Sequence, residues 1–121
     1  MIYIAAGLND AEKVKILETR IGLPVSYSWS SDYLAGKKVS GYEQAGLCME
    51  GVQTAKVVGF LPPGGRGAHV EVGVALGLKI PSVMWWPPDL TDEVGFYRLF
   101  TSIVPTIENF ITLIRRLHES T

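Results

Sequence analysis

The sequence contains little of what several classes of protein require. It has one cysteine, Cys48, which excludes an intramolecular disulfide, and its two histidines do not form a metal-ligand cluster with that thiol. The formal net charge is -1, so nothing in the composition favours binding to a nucleic-acid polymer or an anionic membrane surface. No apolar run approaches the roughly 18 residues of a membrane span, and the first residues lack the basic segment of a secretory signal. We therefore expect a cytoplasmic protein with no membrane partner, no metal and no cofactor.

The sequence does contain one strongly patterned stretch, residues 55–86, which reads AKVVGFLPPGGRGAHVEVGVALGLKIPSVMWW. It predicts a buried strand over 56–61, a proline- and glycine-rich turn over 62–67, a helix over 68–78 and a second buried strand over 81–86. Short, nearly continuous apolar strands are typical of a parallel sheet that helices cover on both faces. The stretch is therefore predicted to be one βαβ unit.

Further elements are predicted on both sides of this unit. Three more strands are expected over 2–6, 25–29 and 99–104. Helices are expected from Asn9 or Asp10 to Gly22, over 42–54, and after Thr106, while 33–41 should form a loop able to close over a ligand crevice. Five strands alternating with helices predict one α/β domain over 1–121, a flavodoxin- or Rossmann-like three-layer sandwich with a five-stranded parallel sheet.

Glu71 is the leading candidate for a functional residue. Its carboxylate follows Gly67 by four residues, inside an apolar run and close to the positive end of a helix dipole. A structural ion pair or a helix-terminal charge is the alternative interpretation. The preceding Gly64, Gly65 and Gly67 leave backbone N–H groups free to bind an anion, which Arg66 would reinforce, although a tight turn without a ligand would also use glycine.

Other candidate binding residues lie near predicted strand ends, where ligands of open α/β sheets bind. Gly7 follows the first strand and would let the backbone approach a ligand closely. Trp29, and Trp85 or Trp86, could stack on a planar base, and Asp32 and His69 could bind substrate. Each of these has a structural alternative, as a core aromatic or a solvated side chain.

These motifs carry a resemblance that covers most of the chain and is most specific in its central unit. The IYIAAG first strand and the segment VVGFLPPGGRGAHVEVGVALGLKIP resemble the nucleoside 2-deoxyribosyltransferase-like superfamily, and the PGG segment looks like that of the cytokinin-activating phosphoribohydrolases. The resemblance implies a flavodoxin-like fold in which Glu71, the glutamate of GxGxxxE, is the nucleophile at the anomeric carbon. It also implies that Tyr3 assists this carboxylate, and that a neighbouring subunit completes the site in a homodimer or larger homo-oligomer.

One position departs from the resembled pattern. The superfamily has an aspartate on the helix before the third strand, and here that position is Cys48. A replacement acid could come from one of five residues: Glu50, Asp32, Asp89, Asp92 or His69. Two functions are therefore expected as alternatives. The first is cleavage or transfer at the N-glycosidic bond of a nucleoside or nucleoside 5'-monophosphate, and the second is a catalytically silent nucleotide-binding module.

Overall fold

A parallel sheet forms the centre of the computed structural model, which describes residues 1–38, 41–86 and 95–120. Its strands are β1 (Ile2–Ala5), β2 (Val57–Phe60), β3 (Ser82–Trp85) and β4 (Ser102–Val104), and they lie side by side in that order. Tyr3 pairs with Val58, and Val58 pairs with Ser82. The predicted α/β architecture with a parallel sheet is confirmed, but the sheet in the described residues has four strands rather than the expected five.

Five α-helices accompany the sheet in the described residues. They are α1 (Ala11–Ile21), α2 (Trp29–Leu34), α3 (Tyr42–Thr54), α4 (Arg66–Gly77) and α5 (Ile107–Glu119), with short 3-10 segments at Leu8–Asp10 and Gly95–Leu99. Helix α4 contacts β1, β2 and β3 and packs on α3, whereas α5 contacts β2, β3 and β4 and packs on α1. Helices therefore cover the sheet in the manner of a Rossmann-like α/β fold.

The alternation of side chains along β1 and β2 directs them to different helices. A Cβ atom at Gly59 would lie 2.6 Å from Cζ of Phe110 on α5, so α5 approaches β2 closely at this point. Tyr3 lies one position away from the residue paired with Gly59, and its hydroxyl reaches α4 instead. The sheet thus places Tyr3 against the helix that carries Glu71.

The prediction of a fifth strand over 25–29 is wrong. Val25 forms only an isolated parallel bridge with Ile2, on the side of β1 opposite β2, and α2 begins four residues later. The reason is local: the Ser28 hydroxyl accepts a hydrogen bond from the Ser31 N–H at 3.4 Å and caps the helix. Serine capping therefore overrides the strand preference of the β-branched and aromatic residues in this segment.

A buried carboxylate supports this cap. Glu18 on α1 is 6% exposed, and its Oε1 accepts hydrogen bonds from Ser28 at 2.7 Å and Ser30 at 3.3 Å. Its Oε2 is buried without a hydrogen-bond partner in the described residues. Burial raises the pKa of Glu18, while the Ser28 hydrogen bond opposes that change.

The remaining predictions agree with the structure in most particulars. Gly22 ends α1 in the left-handed region, with φ of 73°, and the Thr106 hydroxyl accepts from the Asn109 N–H at 3.0 Å to cap α5. Asp10 precedes α1 but makes no side-chain cap. The loop predicted over 33–41 begins inside α2 and includes residues 39–40, which lie outside the described residues, as do 87–94 with Asp89 and Asp92.

Candidate functional site

A pocket of about 320 Å³ opens where β1 and β2 end and α4 begins. It combines the segment after β1, the first two turns of α4, one residue from α2 and one from α3. The residues that line it are Ala6, Gly7, Leu8, Trp29, Cys48, Gly65, Gly67, Ala68 and Glu71. This is the position where open α/β sheets bind their ligands.

The glycine-rich turn lets the backbone form the edge of this pocket. Gly64 has φ of 61°, and a Cβ atom there would lie 2.6 Å from Cε1 of Phe60, so both conformation and space require glycine. Gly65 then takes the N-cap position of α4 without a side-chain cap. Gly7 faces this turn, since its Cβ would lie 3.7 Å from the Gly65 nitrogen. The two loops therefore meet, and the first amides of α4 lie at the pocket.

Glu71 lines the pocket, and the fully buried Tyr3 hydrogen-bonds to it. The Tyr3 hydroxyl donates a hydrogen bond to Oε1 of Glu71 at 2.9 Å, across 68 positions of sequence. Burial raises the pKa of the Glu71 carboxyl, and the hydrogen bonds from Tyr3 and Cys48 oppose that rise. Burial, together with the Glu71 charge, holds the pKa of Tyr3 well above its usual range. Tyr3 therefore remains a proton donor that favours the ionised form of Glu71.

Cys48 reaches this pair from α3. Its side chain is half-buried and lines the pocket, and burial raises the pKa of its thiol to about 11, with the Glu71 charge adding to the effect. The thiol is therefore protonated at neutral pH. The resemblance had marked this position as that of an aspartate, and the structure brings Cys48 together with Tyr3 and Glu71.

Trp29 forms the wall contributed by α2. It is 4% exposed, and its indole N–H donates to the Ile4 carbonyl at 2.7 Å. That hydrogen bond ties the first residue of α2 to β1, although the segment is not a strand. Trp29 therefore lines the pocket as predicted, from a helix rather than from a strand end.

Three of the predicted binding residues do not line this pocket. Asp32 accepts from the Tyr27 hydroxyl at 2.7 Å and pairs with Lys37 at 3.3 Å, and the Tyr27 bond in particular lowers the pKa of its carboxyl. Trp85 donates its indole N–H to the Pro105 carbonyl at 3.3 Å, and Lys13 Nζ lies 4.8 Å from its ring centroid. None of the three, Asp32, Trp85 or the turn residue Gly64, lines the pocket.

His69 and Arg66 also lie away from the pocket lining. Because a carbonyl oxygen only accepts, Nδ1 of His69 donates to Gly65 O at 2.9 Å, and its Nε2 lies 3.1 Å from the Tyr97 hydroxyl. The ring borders a different, apolar pocket of about 270 Å³ formed with Tyr97 and Phe100. Arg66 is an exposed residue at the start of α4. Of the predicted site residues, five line the pocket, namely Gly7, Trp29, Gly65, Gly67 and Glu71, and Tyr3 hydrogen-bonds to Glu71.

The sequence reasoning missed several lining residues. Ala6, Leu8 and Ala68 are neighbours of the predicted glycines, so their proximity to Gly7 and Gly67 was the available signal. Among the described residues, no cluster of three His, Cys, Asp or Glu side chains could hold a metal ion. In the same part of the chain, no helix is long and apolar enough to cross a membrane.

The comparisons with family models and with curated proteins do not bear on the function. No model of a protein family matches this sequence, and a search of curated proteins found no matching relative. The Glu71 carboxylate, its Tyr3 donor and the surrounding pocket therefore carry the functional interpretation.

Proposed function

We propose that the protein cleaves or transfers at the N-glycosidic bond of a nucleoside or nucleoside 5'-monophosphate, with Glu71 as the nucleophile. The observation that carries this proposal is the position of the Glu71 carboxylate in the lining of a pocket of about 320 Å³. The Tyr3 hydroxyl donates a hydrogen bond to this carboxylate at 2.9 Å. A half-buried carboxylate with a fixed tyrosine donor and a raised pKa is typical of a catalytic group rather than of a solvated charge.

The chemistry requires a carboxylate beside the anomeric carbon. Breaking a ribosyl C–N bond develops positive charge on the sugar, which Glu71 would stabilise and then capture as a glycosyl ester. Water or a second nucleobase would attack the ester on the same carbon and give hydrolysis or transfer. Tyr3 would orient Glu71 and hold its carboxylate ionised, because its hydrogen bond lowers the pKa of that group.

The rest of the pocket suits a sugar and a base. The amides at the start of α4 lie beside Gly65 and Gly67, where no side chain caps the helix, and would bind a 5'-hydroxyl or a 5'-phosphate. Trp29 would supply an apolar aromatic surface for the base. In this arrangement the base is the leaving group and the sugar lies against Glu71.

Cys48 favours a second candidate function. Its thiol, with a pKa of about 11, occupies the position where the resembled superfamily has an aspartate. The site therefore has a weak acid in place of the second carboxylate that would assist proton transfer to the base. A nucleotide-binding module without turnover would keep the pocket and need no such group.

Base release separates the two functions. Purified protein is incubated with a panel of nucleosides, deoxynucleosides and 5'-monophosphates, and free base is measured by chromatography. The enzyme hypothesis expects release that disappears in Glu71→Gln, because the amide is nearly isosteric but cannot capture the sugar. Glu43→Gln, which changes an exposed glutamate on α3, is the matched control. Binding without release would favour the silent module, and full release by Glu71→Gln would exclude this mechanism.

A further inference from the structure

The charge pattern of the pocket selects among the substrates of the proposed reaction. Nine described residues line the pocket, and Glu71 is the one among them with a carboxylate or a cationic group. The others contribute alanine, glycine and leucine surface, the indole of Trp29 and the thiol of Cys48. A negative group therefore acts in largely apolar surroundings, where water screens charge less than it does at an exposed surface.

The groups next to Glu71 keep their protons. Tyr3 directs its hydroxyl proton to Oε1 of Glu71, so that proton faces the nucleophile rather than the leaving group. Among the described residues, Cys48 is a second proton-bearing side chain beside Glu71, and burial and the nearby carboxylate raise the pKa of its thiol to about 11. A neutral nucleobase leaves as an anion unless it is protonated, and general acid assistance contributes on the order of 100- to 10,000-fold to such a step.

We infer that the site, provided that it carries out the glycosidic reaction proposed above, acts on N-ribosyl pyridinium cations rather than on neutral nucleosides. In such a substrate the glycosidic nitrogen belongs to a positively charged aromatic ring, as in nicotinamide riboside. Two features of the pocket favour a cationic substrate. Glu71 supplies the opposite charge, and Trp29 supplies aromatic surface in the same pocket.

The reaction balances without a proton donor. The C1'–N bond breaks, its electron pair stays on the ring nitrogen, and the pyridinium leaves as a neutral pyridine. Glu71 Oε forms an ester bond to C1' in the same step, so the positive charge of the substrate and the negative charge of the carboxylate cancel. Water then adds to C1' and releases the sugar, the Glu71 carboxylate and one proton to solvent. Neither Tyr3 nor Cys48 needs to give up its proton.

Turnover of matched substrates tests the substrate class. The kcat/KM for base release is measured with nicotinamide riboside and with adenosine, inosine and their 2'-deoxy forms, each corrected for release without protein. The inference expects at least about 100-fold higher kcat/KM for the cation, the lower bound of the acid assistance that the neutral substrates lack. Glu71→Gln should abolish release from the cation, and Glu43→Gln should leave it unchanged.

The outcomes distinguish this inference from the function on which it rests. Equal or faster release from neutral nucleosides, lost in Glu71→Gln, would overturn the substrate class and leave the proposed function standing. Release from none of these compounds and from none of the 5'-monophosphates would overturn both.

A binding measurement tests the charge preference independently of turnover. 1-Methylnicotinamide is a cation and nicotinamide is its neutral counterpart, and neither has a glycosidic bond to break. Calorimetry at pH 8 should show the cation binding roughly tenfold more tightly to the wild type, because an opposite charge lies in the apolar pocket. The preference should vanish in Glu71→Gln, with melting curves confirming that this variant is folded. Equal affinity of the wild type for both compounds would count against the inference.

Discussion

Replacing Tyr3 with phenylalanine would remove only the hydroxyl oxygen that donates to Oε1 of Glu71 at 2.9 Å. The ring of Tyr3 is fully buried and lies against Gly51, whose Cβ would be 3.0 Å from Cδ2, so phenylalanine keeps the packing. The variant therefore isolates the effect of one hydrogen bond on the carboxylate.

The expected magnitude comes from the strength of that bond. A hydrogen bond to a charged group contributes about 1.5–3 kcal/mol, which corresponds to about a 10- to 150-fold effect on an equilibrium. Because the Tyr3 hydrogen bond lowers the pKa of Glu71, its loss raises that pKa and leaves less ionised nucleophile at a given acidic or neutral pH. Base release should fall by a factor in this range and recover as the pH is raised.

The assay is kcat/KM for base release from pH 5 to pH 9, with Tyr33→Phe as the control for loss of an exposed hydroxyl on α2. Carbon-13 NMR of labelled glutamate carboxyls reads the Glu71 titration directly and requires no turnover; Glu71→Gln identifies its signal. An unchanged Glu71 titration in Tyr3→Phe would refute the claim that Tyr3 controls the charge of the nucleophile.

Four further predictions follow from the same site. First, the raised pKa of Glu71 means that its contribution to stability is present below the ordinary value of 4.5 and is lost as the pH rises through the folded value; Glu71→Gln should therefore melt higher than wild type at neutral pH, and no difference would contradict the burial argument. Second, a Cβ atom at Gly65 would meet no atom within 4 Å, so Gly65→Val should fold while erasing any calorimetric preference for nucleoside monophosphates over nucleosides; an unchanged preference would place the phosphate elsewhere. Third, Cys48→Asp should increase base release from neutral nucleosides by on the order of 100-fold or more, and the gain should vanish in combination with Glu71→Gln; loss of the melting transition without product would instead show that position 48 cannot hold a charge. Fourth, light scattering at micromolar concentration should give the mass of a homodimer or larger, with the exposed Phe96 and Leu99 as candidate contact surface, whereas a monomeric mass would contradict this prediction.

The sequence predicted elements whose signals are local. The spacing of apolar residues after Thr106 predicted α5, and the buried face of that helix consists of Phe110, Ile111 and Ile114. Helix α3 was predicted with the bounds that the structure shows. Such patterns depend on a helical period and a capping residue, which can be read without knowledge of distant neighbours.

Other features depend on partners far away in sequence. Helix α2 begins at Trp29, the last residue of the predicted strand, and its capping residue Ser28 also donates a hydrogen bond to Glu18 of α1. Cys48 reaches Glu71 only because α3 packs on α4. These contacts are tertiary, and propensity does not reveal them.

Helical geometry explains why His69 and Glu71 do not share the pocket. Residues two positions apart on a helix point in nearly opposite directions, whereas residues three or four apart share a face. Gly67, Ala68 and Glu71 accordingly line the pocket, and His69 borders the other one. The period of α4 was sufficient to exclude His69 from the site on sequence grounds.

The wall formed by Trp29 is held in place without a strand ladder. Side-chain hydrogen bonds from Ser28 and Ser30 to Glu18, and the indole bond to the Ile4 carbonyl, fix the start of α2 beside β1. The strands β1 to β4 pair with one another, and α2 contributes no strand to that sheet. Mutations in this six-residue helix are therefore expected to reshape the Trp29 wall of the pocket while leaving the hydrogen bond between Tyr3 and Glu71 in place. Under the proposed function, the surface that would hold the base lies on α2 and the carboxylate that would break the bond lies on α4, so the two could diverge independently in laboratory selection.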